Sequence, residues 1–319
     1  MAISIQSAHP DQWREVAHLI YDSTNAWYEK NRGFSIFTGE KDSALLFCRT
    51  YAALDGVENL LIAWDSDQKR IAGSCFVHPR PTHTALGIMN VHPDYFGQGI
   101  APLLLRRIIS MAEERKLPLL LVSSAMNLDS FSLYNRLGFV PYAIYQDMLF
   151  PHFQPHRLEK NLPEEVTAAI STVRLAMPGD LDAIDRLESS ITGLNHSQDY
   201  AYFLQNRDGV WKTWVAEDAN GELSGVLSSV CDPGSCMLGP GLMRTESSML
   251  ALIFTAYRFF TVERATPATP VFLVPSRCSE ALQTLYSWGA RNTEIHLGQS
   301  LGSCSPVHGL VMPTFMPES

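Results

Sequence analysis

The sequence predicts an α+β protein in which two copies of one plan follow each other, each a mixed, mainly antiparallel sheet flanked by helices. Three observations carry this. At 319 residues the chain has room for two domains. A pattern near its start returns at a constant offset of 168 residues: Ala8-His9-Pro10-Asp11 with apolar Trp13, Val16 and Leu19 is matched by Ala176-Met177-Pro178-Gly179 with Leu181, Ile184 and Leu187. Two further matches follow in the same order in both halves, which marks a tandem duplication.

Each half opens on a strand, a turn and a helix whose apolar residues recur three apart, with a second helix after it. A hairpin comes next. Leu61-Ile62-Ala63-Trp64-Asp65 passes through a polar turn into Ile71-Ala72-Gly73, and Trp214-Val215-Ala216-Glu217-Asp218 turns at Asn220-Gly221 into Leu223-Ser224-Gly225. The third match pairs Pro118, Leu121-Val122, Leu133-Tyr134 and Gly138 with Pro270, Leu273-Val274, Leu285-Tyr286 and Gly289, as a strand, a helix and a closing turn. Between the copies, Phe150 to Glu165 holds Pro151, Pro155 and Pro163 among polar residues and reads as a linker. The expected division is therefore 1–150, a linker at 151–165, and 166–319.

Composition narrows the function. With 46% apolar and 18% charged residues the chain can build cores and is not generally disordered. Its net charge of −9 argues against a nucleic-acid partner or an anionic membrane surface, both of which need basic residues. The acidity is uneven: thirteen basic against fifteen acidic residues in 1–150, eleven against eighteen in 151–319. No basic region followed by an apolar one marks a secretory signal at Met1–Trp13, and the greasy stretch from Met249 to Phe260 is too short to span a bilayer. Six cysteines are too sparse for a disulfide scaffold, and Cys231 and Cys236 lack a second ligand pair at zinc spacing. The expectation is a cytoplasmic protein without a metal.

The segment from Ala85 to His92 reads as a strand, Pro93 to Ala101 as a glycine-rich turn, and Pro102 to Lys116 as a helix with the stripe Leu104, Leu105, Ile108, Met111 and Ala112. Strand, glycine turn and helix N-terminus form a phosphate seat, because glycines let backbone amides approach and the helix dipole favours an anion. A tight strand-to-helix turn with no ligand is the plainer alternative. Neither a Walker lysine nor a complete Gly-x-Gly-x-x-Gly is present, which disfavours nucleoside triphosphates and dinucleotides.

Val91-His-Pro-Asp-Tyr-Phe-Gly-Gln-Gly-Ile-Ala101, followed about 25 residues later by Asn127-x-x-Ser130-x-x-Leu133-Tyr134-x-x-x-Gly138-Phe139, resembles the GNAT N-acetyltransferase superfamily, strongly over about residues 55–145 and faintly in the second half. The resemblance implies two tandem GNAT-like domains, the second degenerate, and acetyl-CoA as cosubstrate. Its pyrophosphate would lie on the loop Phe96, Gly97, Gln98, Gly99, Ile100 and Ala101, with the amides of Gly97 to Ala101 as donors. Its pantetheine arm would run along Met89, Asn90 and Val91 as an added strand. Asn127 would hydrogen-bond the CoA arm, or simply cap a helix. Two departures remove polar contacts: Phe96 stands where the family usually has Arg or Gln, and Pro102 has no amide to donate.

Moving an acyl group from a thioester to an amine requires a neutral amine, a polarised carbonyl and a protonated leaving thiolate. By resemblance Tyr134 sits at the sulfur; a core tyrosine beside Leu133 and Leu137 is the other reading. The family's usual Glu on the strand before the loop is missing, since 85–91 hold no carboxylate, and His83, Asp22, Glu29 or water remain as bases. Tyr21, Trp27 and Tyr28 with Asp22 and Glu29 could hold an ammonium, or pack as core. In the second half Gly239-Pro240-Gly241 reads as a turn, Glu246 would repel a pyrophosphate, Cys278 stands for Asn127, and an apolar helix is expected from Ser248 to Arg264. The expected activity is N-acetyl transfer from acetyl-CoA to a primary amine of a small-molecule or peptide acceptor by direct attack in a ternary complex. A non-catalytic acetyl-CoA-binding sensor or interaction module is the alternative. The chain would be a monomer with an internal pseudo-dimer, or a homodimer.

Overall fold

A computed structural model describes residues 2–263 and 269–314. The chain divides into two compact units, Met1–Leu121 with Asp232–Ser235, and Val122–Cys231 with Cys236–Ser319.

The first unit begins with β1 (Ile3–Ser7), α1 (Trp13–Arg32) and α2 (Leu45–Asp55), followed by β2 (Leu60–Asp65), β3 (Arg70–Pro79), β4 (Thr84–Val91), α3 (Ile100–Arg115) and the start of β5 (Leu119–Ser124). The expected first hairpin is β2–β3, paired antiparallel. Strands run in the order β1-β2-β3-β4-β5. β4 and β5 are parallel and pair at Thr84↔Leu119 and Ala85↔Leu120. Alternation of side chains sends β3 residues to opposite faces. Gly73 faces Ile100 and Leu104 of α3, with no room for a side chain between. Phe76 and His78 face α2, where Tyr51 lies 4.7 and 4.3 Å from their ring centres.

In the second unit β5 ends, and α4 (Leu128–Arg136) and β6 (Val140–Leu149) follow. The segment expected as a linker contains α5 (Pro155–Leu158) and the start of α6 (Glu164–Ile170). Then come β7 (Val173–Leu175), α7 (Leu181–Ile191), α8 (Ser197–Gln205), β8 (Trp211–Glu217), β9 (Leu223–Asp232), β10 (Ser235–Met243), α9 (Glu246–Arg258), β11 (Val271–Pro275), α10 (Ser279–Ser287), β12 (Arg291–Leu301) and β13 (Leu310–Met312). The order is β5-β12-β6-β11-β10-β9-β8-β7, with β13 on β10. The last long strand of each copy is thus exchanged. β12, from the second copy, lies between β5 and β6, and β6, from the first, lies between β12 and β11.

Two local readings change. Gly239-Pro240-Gly241 is not a turn but lies inside β10, where a side chain at Gly241 would collide with Leu227 and Met243. The apolar helix is α9 followed by a wider turn at Phe259–Glu263, and Arg264 lies outside the described residues. α9 is apolar all round because it is enclosed, packing on α6, α10 and β8. Phe150, Phe254, Tyr257 and Phe272 form its aromatic centre, and each such buried ring contributes about 1.5–3 kcal/mol. Among the described residues no helix is long and apolar enough to cross a membrane.

Candidate functional site

The loop predicted from the glycines is built as expected. After β4, His92 caps a single turn at Pro93–Tyr95, its Nδ1 accepting from the Asp94 amide. Gly97 and Gly99 then take φ of 76° and 83°, the left-handed region that disfavours other residues. Neither would find anything within 4 Å of an added side chain, so both face open space. α3 starts at Ile100 with no side chain capping its first turn. First-turn amides have no intrahelical partner, and here they follow an exposed loop. Pro102 sits in that first turn, where a missing N–H costs least.

Met89, Asn90 and Val91 are half-buried at the end of β4 that points into this loop. Pairing with β5 involves Thr84 and Ala85, so the backbone from Leu86 onward offers an edge to an added strand. Asn90 turns its side chain the other way, donating to the hydroxyls of Ser23 and Thr24 on α1. Phe96 is half exposed beside Gly97. Gln98 folds back and donates to the Asp94 carbonyl. What these residues present to the edge and the loop is therefore mainly main chain.

A buried polar brace supports the loop. Tyr95 donates to Asp65 at 2.8 Å, and the Arg70 guanidinium lies over the Tyr95 ring, 3.0 Å from Asp94 and 2.7 Å from the His92 ring nitrogens. Burial, and then the Arg70 charge, push the His92 pKa down. His92 is thus a neutral cap.

The counterpart in the second half is closed. β10 pairs with β11 at Met237↔Val271 and Leu238↔Phe272, as β4 does with β5. Beyond that point β13 takes the edge, pairing Gly241↔Met312, Leu242↔Val311 and Met243↔Leu310. Thr245 caps α9 through Ser248 N at 3.1 Å, and the Glu246 carboxylate accepts from Ala281 N at 2.5 Å in the first turn of α10.

Asn127 and Tyr134 lie together on α4. Asn127 caps it, accepting from Ser130 N at 3.1 Å. Tyr134 is 5% exposed and packs on Phe139 with ring centres 5.7 Å apart. The groups suggested as bases are engaged. Asp22 pairs with Lys41 at 2.6 Å, Glu29 accepts from the Ser35 hydroxyl, and His83 is fully buried beside Thr82. The Lys41 ammonium also lies 6.0 Å over the Tyr21 ring, so the chain supplies its own cation there. Sequence reasoning passed over His78. Its partner Asp55 is distant in sequence, so no local pattern marks the pair. Among the described residues no group of three or more His, Cys, Asp or Glu is arranged to hold a metal ion.

Residues 18–139 match the acetyltransferase (GNAT) family. That segment is a GNAT acetyltransferase domain. Its chemistry is acyl transfer, and the superfamily draws its acyl groups from acyl-CoA. No curated protein matches the chain in sequence. Solved structures do match in fold over nearly its whole length. A candidate acetyltransferase from Pyrococcus horikoshii has 15% identity and a TM-score of 0.72, covering 97% of this chain and 92% of its own. A tandem GNAT protein of the clavulanic acid biosynthesis pathway has 14% identity and a TM-score of 0.58, covering 95% and 100%. The N-myristoyltransferase of Saccharomyces cerevisiae, solved with bound myristoyl-CoA, has 12% identity and a TM-score of 0.63, covering 96% and 80%. At such identities the likeness is one of fold, and the fold of the whole chain is the tandem GNAT type.

Proposed function

We propose that the protein transfers an acetyl group from acetyl-CoA to a primary amine, with one acetyl-CoA site, in the first half. The observation that carries this reading is the open β4 edge running into an uncapped helix N-terminus, set against a second half where β13 takes the strand edge and Thr245 caps the helix start. An extended pantetheine arm can add to a free strand edge through main-chain groups, and a pyrophosphate suits amides at a helix start. Met89 and Val91 supply the edge, and Gly97 to Ala101 the cradle. Asn127 supports the arm, and Tyr134 protonates the departing thiolate. The amine attacks the thioester directly, the C–N bond forming and the C–S bond breaking in one ternary complex.

Calorimetry with acetyl-CoA is expected to give a stoichiometry of one, and thiol release is expected with some members of a panel of primary amines. No binding at millimolar acetyl-CoA overturns the reading. Binding without thiol release above hydrolysis favours a sensor, the alternative supported by the lack of a carboxylate between Ala85 and Val91.

A further inference from the structure

An ammonium acceptor must lose a proton before it can attack, and no residue of β4 after Thr84 is a carboxylate. We propose that His78, oriented by Asp55, takes that proton; the inference rests on the acetyl-CoA reading above.

The place follows from the strand pairing. An arm laid on the open edge from the loop runs back along β4 from Val91 and stops near Leu86, because β5 holds the edge at Ala85 and Thr84. The ladder has a bulge at that stop. Gly87 and Ile88 together face Phe76, between the pairs Val77↔Leu86 and Cys75↔Met89. Bulges re-aim groups beside active sites. His78 fills the space that a side chain at position 87 would take: a Cβ built on Gly87 would lie 2.3 Å from His78 Nε2.

The chemistry follows from the partners. Asp55 Oδ2 lies 2.5 Å from His78 Nδ1, which suits an Nδ1–H donor; in the neutral ring with that tautomer Nε2 keeps its lone pair. Arg80 donates to the other Asp55 oxygen and so helps fix the carboxylate as the orienting group. All three side chains are at most 2% exposed. Nε2 is buried with no hydrogen-bond partner, a costly state unless something arrives to fill it. Ser74 Oγ and Asn90 Oδ1, on cross-strand partners and on the same face as His78, are buried without partners too.

In the step, the ammonium gives one proton to Nε2 and its freed lone pair forms the C–N bond. The tetrahedral adduct expels the thiolate, and a second nitrogen proton reaches the sulfur by way of Tyr134. The third stays on the amide, and the proton on His78 passes to solvent after product release.

The test uses the full chain. In one arm, 15N-histidine NMR at pH 8 with acetyl-CoA is expected to find His78 protonated at Nδ1 and bare at Nε2; a proton on Nε2 overturns the proposal without any acceptor being known. In the other arm, thiol release is followed with the panel amine that the wild type turns over fastest. H78Q and D55N are expected to lower kcat about 100-fold or more at pH 7, with KM for acetyl-CoA unchanged and the deficit closing as rising pH neutralises the amine. A loss that pH does not restore is the mark of a merely structural dyad and overturns the proposal, as does a wild-type rate. If H78Q fails to fold, D55N, which keeps the ring, carries the same pH signature. Calorimetry on the wild type separates this failure from that of the underlying reading, because only the latter abolishes acetyl-CoA binding.

Discussion

The start of α3 and the start of α9 solve one physical problem in opposite ways. Every helix begins with amides that lack intrahelical partners. At α9 the chain satisfies them itself: Thr245 is the cap, Glu246 adds a negative charge to the first turn, and β13 occupies the neighbouring strand edge. At α3 two glycines hold the loop open, no side chain caps the helix, and the edge of β4 beyond β5 stays available. A duplicated fold thus carries one self-satisfied end and one that a ligand must complete. Glu246 has a further task, since its carboxylate serves the first turn of α10, where Cys278 gives no side-chain cap; Asn127 does this for α4.

The sharpest way to break the comparison is to separate the copies. A chain ending at Glu165 would leave β6 without β11 and β12, its partners on both sides. The expected result is loss of soluble, cooperatively melting protein, read by yield and circular dichroism. A soluble, active fragment would show that the exchange of strands is dispensable.

The exchange seam has its own titration. Asp147 on β6 sits opposite Glu294 on β12, like charges across a ladder. Burial, and then Glu294, lift the Asp147 pKa to about 7. The folded chain therefore holds a proton there that the unfolded chain releases near pH 4. The folded state binds more protons between these values, so this group's contribution to stability falls as pH rises from about 4 to about 7. D147N, neutral throughout, is expected to gain on the wild type over that window, reaching roughly 2–4 kcal/mol above pH 7. Thermal melts from pH 4 to 8 check this, and a pH-independent difference would remove Asp147 as the cause.

The reach of the sequence differed between these features. The repeat at Ala8 and Ala176, both hairpins and the Gly97–Gly99 loop were legible because each is local: turn residues, short periodicities and positive-φ glycines act within a few residues. The exchange of β6 and β12 was not, because their partners lie over 100 residues away and either pairing suits the same alternation. β13 was missed as a three-residue strand with no pattern of its own. His78 was missed because a dyad with Asp55 is made only by folding two distant elements together. Gly239-Pro240-Gly241 misled for the converse reason: turn chemistry was there, but the small residue instead packs closely on Leu227 and the Val226 carbonyl inside a strand.

Tyr134→Phe tests whether α4 of the first copy contributes to chemistry or only to packing. Phenylalanine keeps the ring contact with Phe139 and removes the proton donor. Turnover is expected to drop about tenfold or more with acetyl-CoA affinity nearly unchanged. An unchanged rate takes Tyr134 out of the mechanism.

The smallest and most direct contrast compares the two helix starts. Gly99→Ala forces a Cβ into a backbone at φ 83°, with open space around it, so the strain of about 1–2 kcal/mol is one of conformation and not of collision. The loop can relieve it by shifting, which misaligns the amides. Acetyl-CoA affinity should weaken about three- to thirtyfold. Thr245→Ala removes the cap of α9 and should cost about 1 kcal/mol of stability, with acetyl-CoA affinity unchanged, because that helix start is complete without a ligand. Calorimetry and melting curves on the two variants therefore give opposite patterns, affinity lost at position 99 and stability lost at position 245. If Thr245→Ala weakened acetyl-CoA binding as much as Gly99→Ala, the two helix starts would not be functionally distinct.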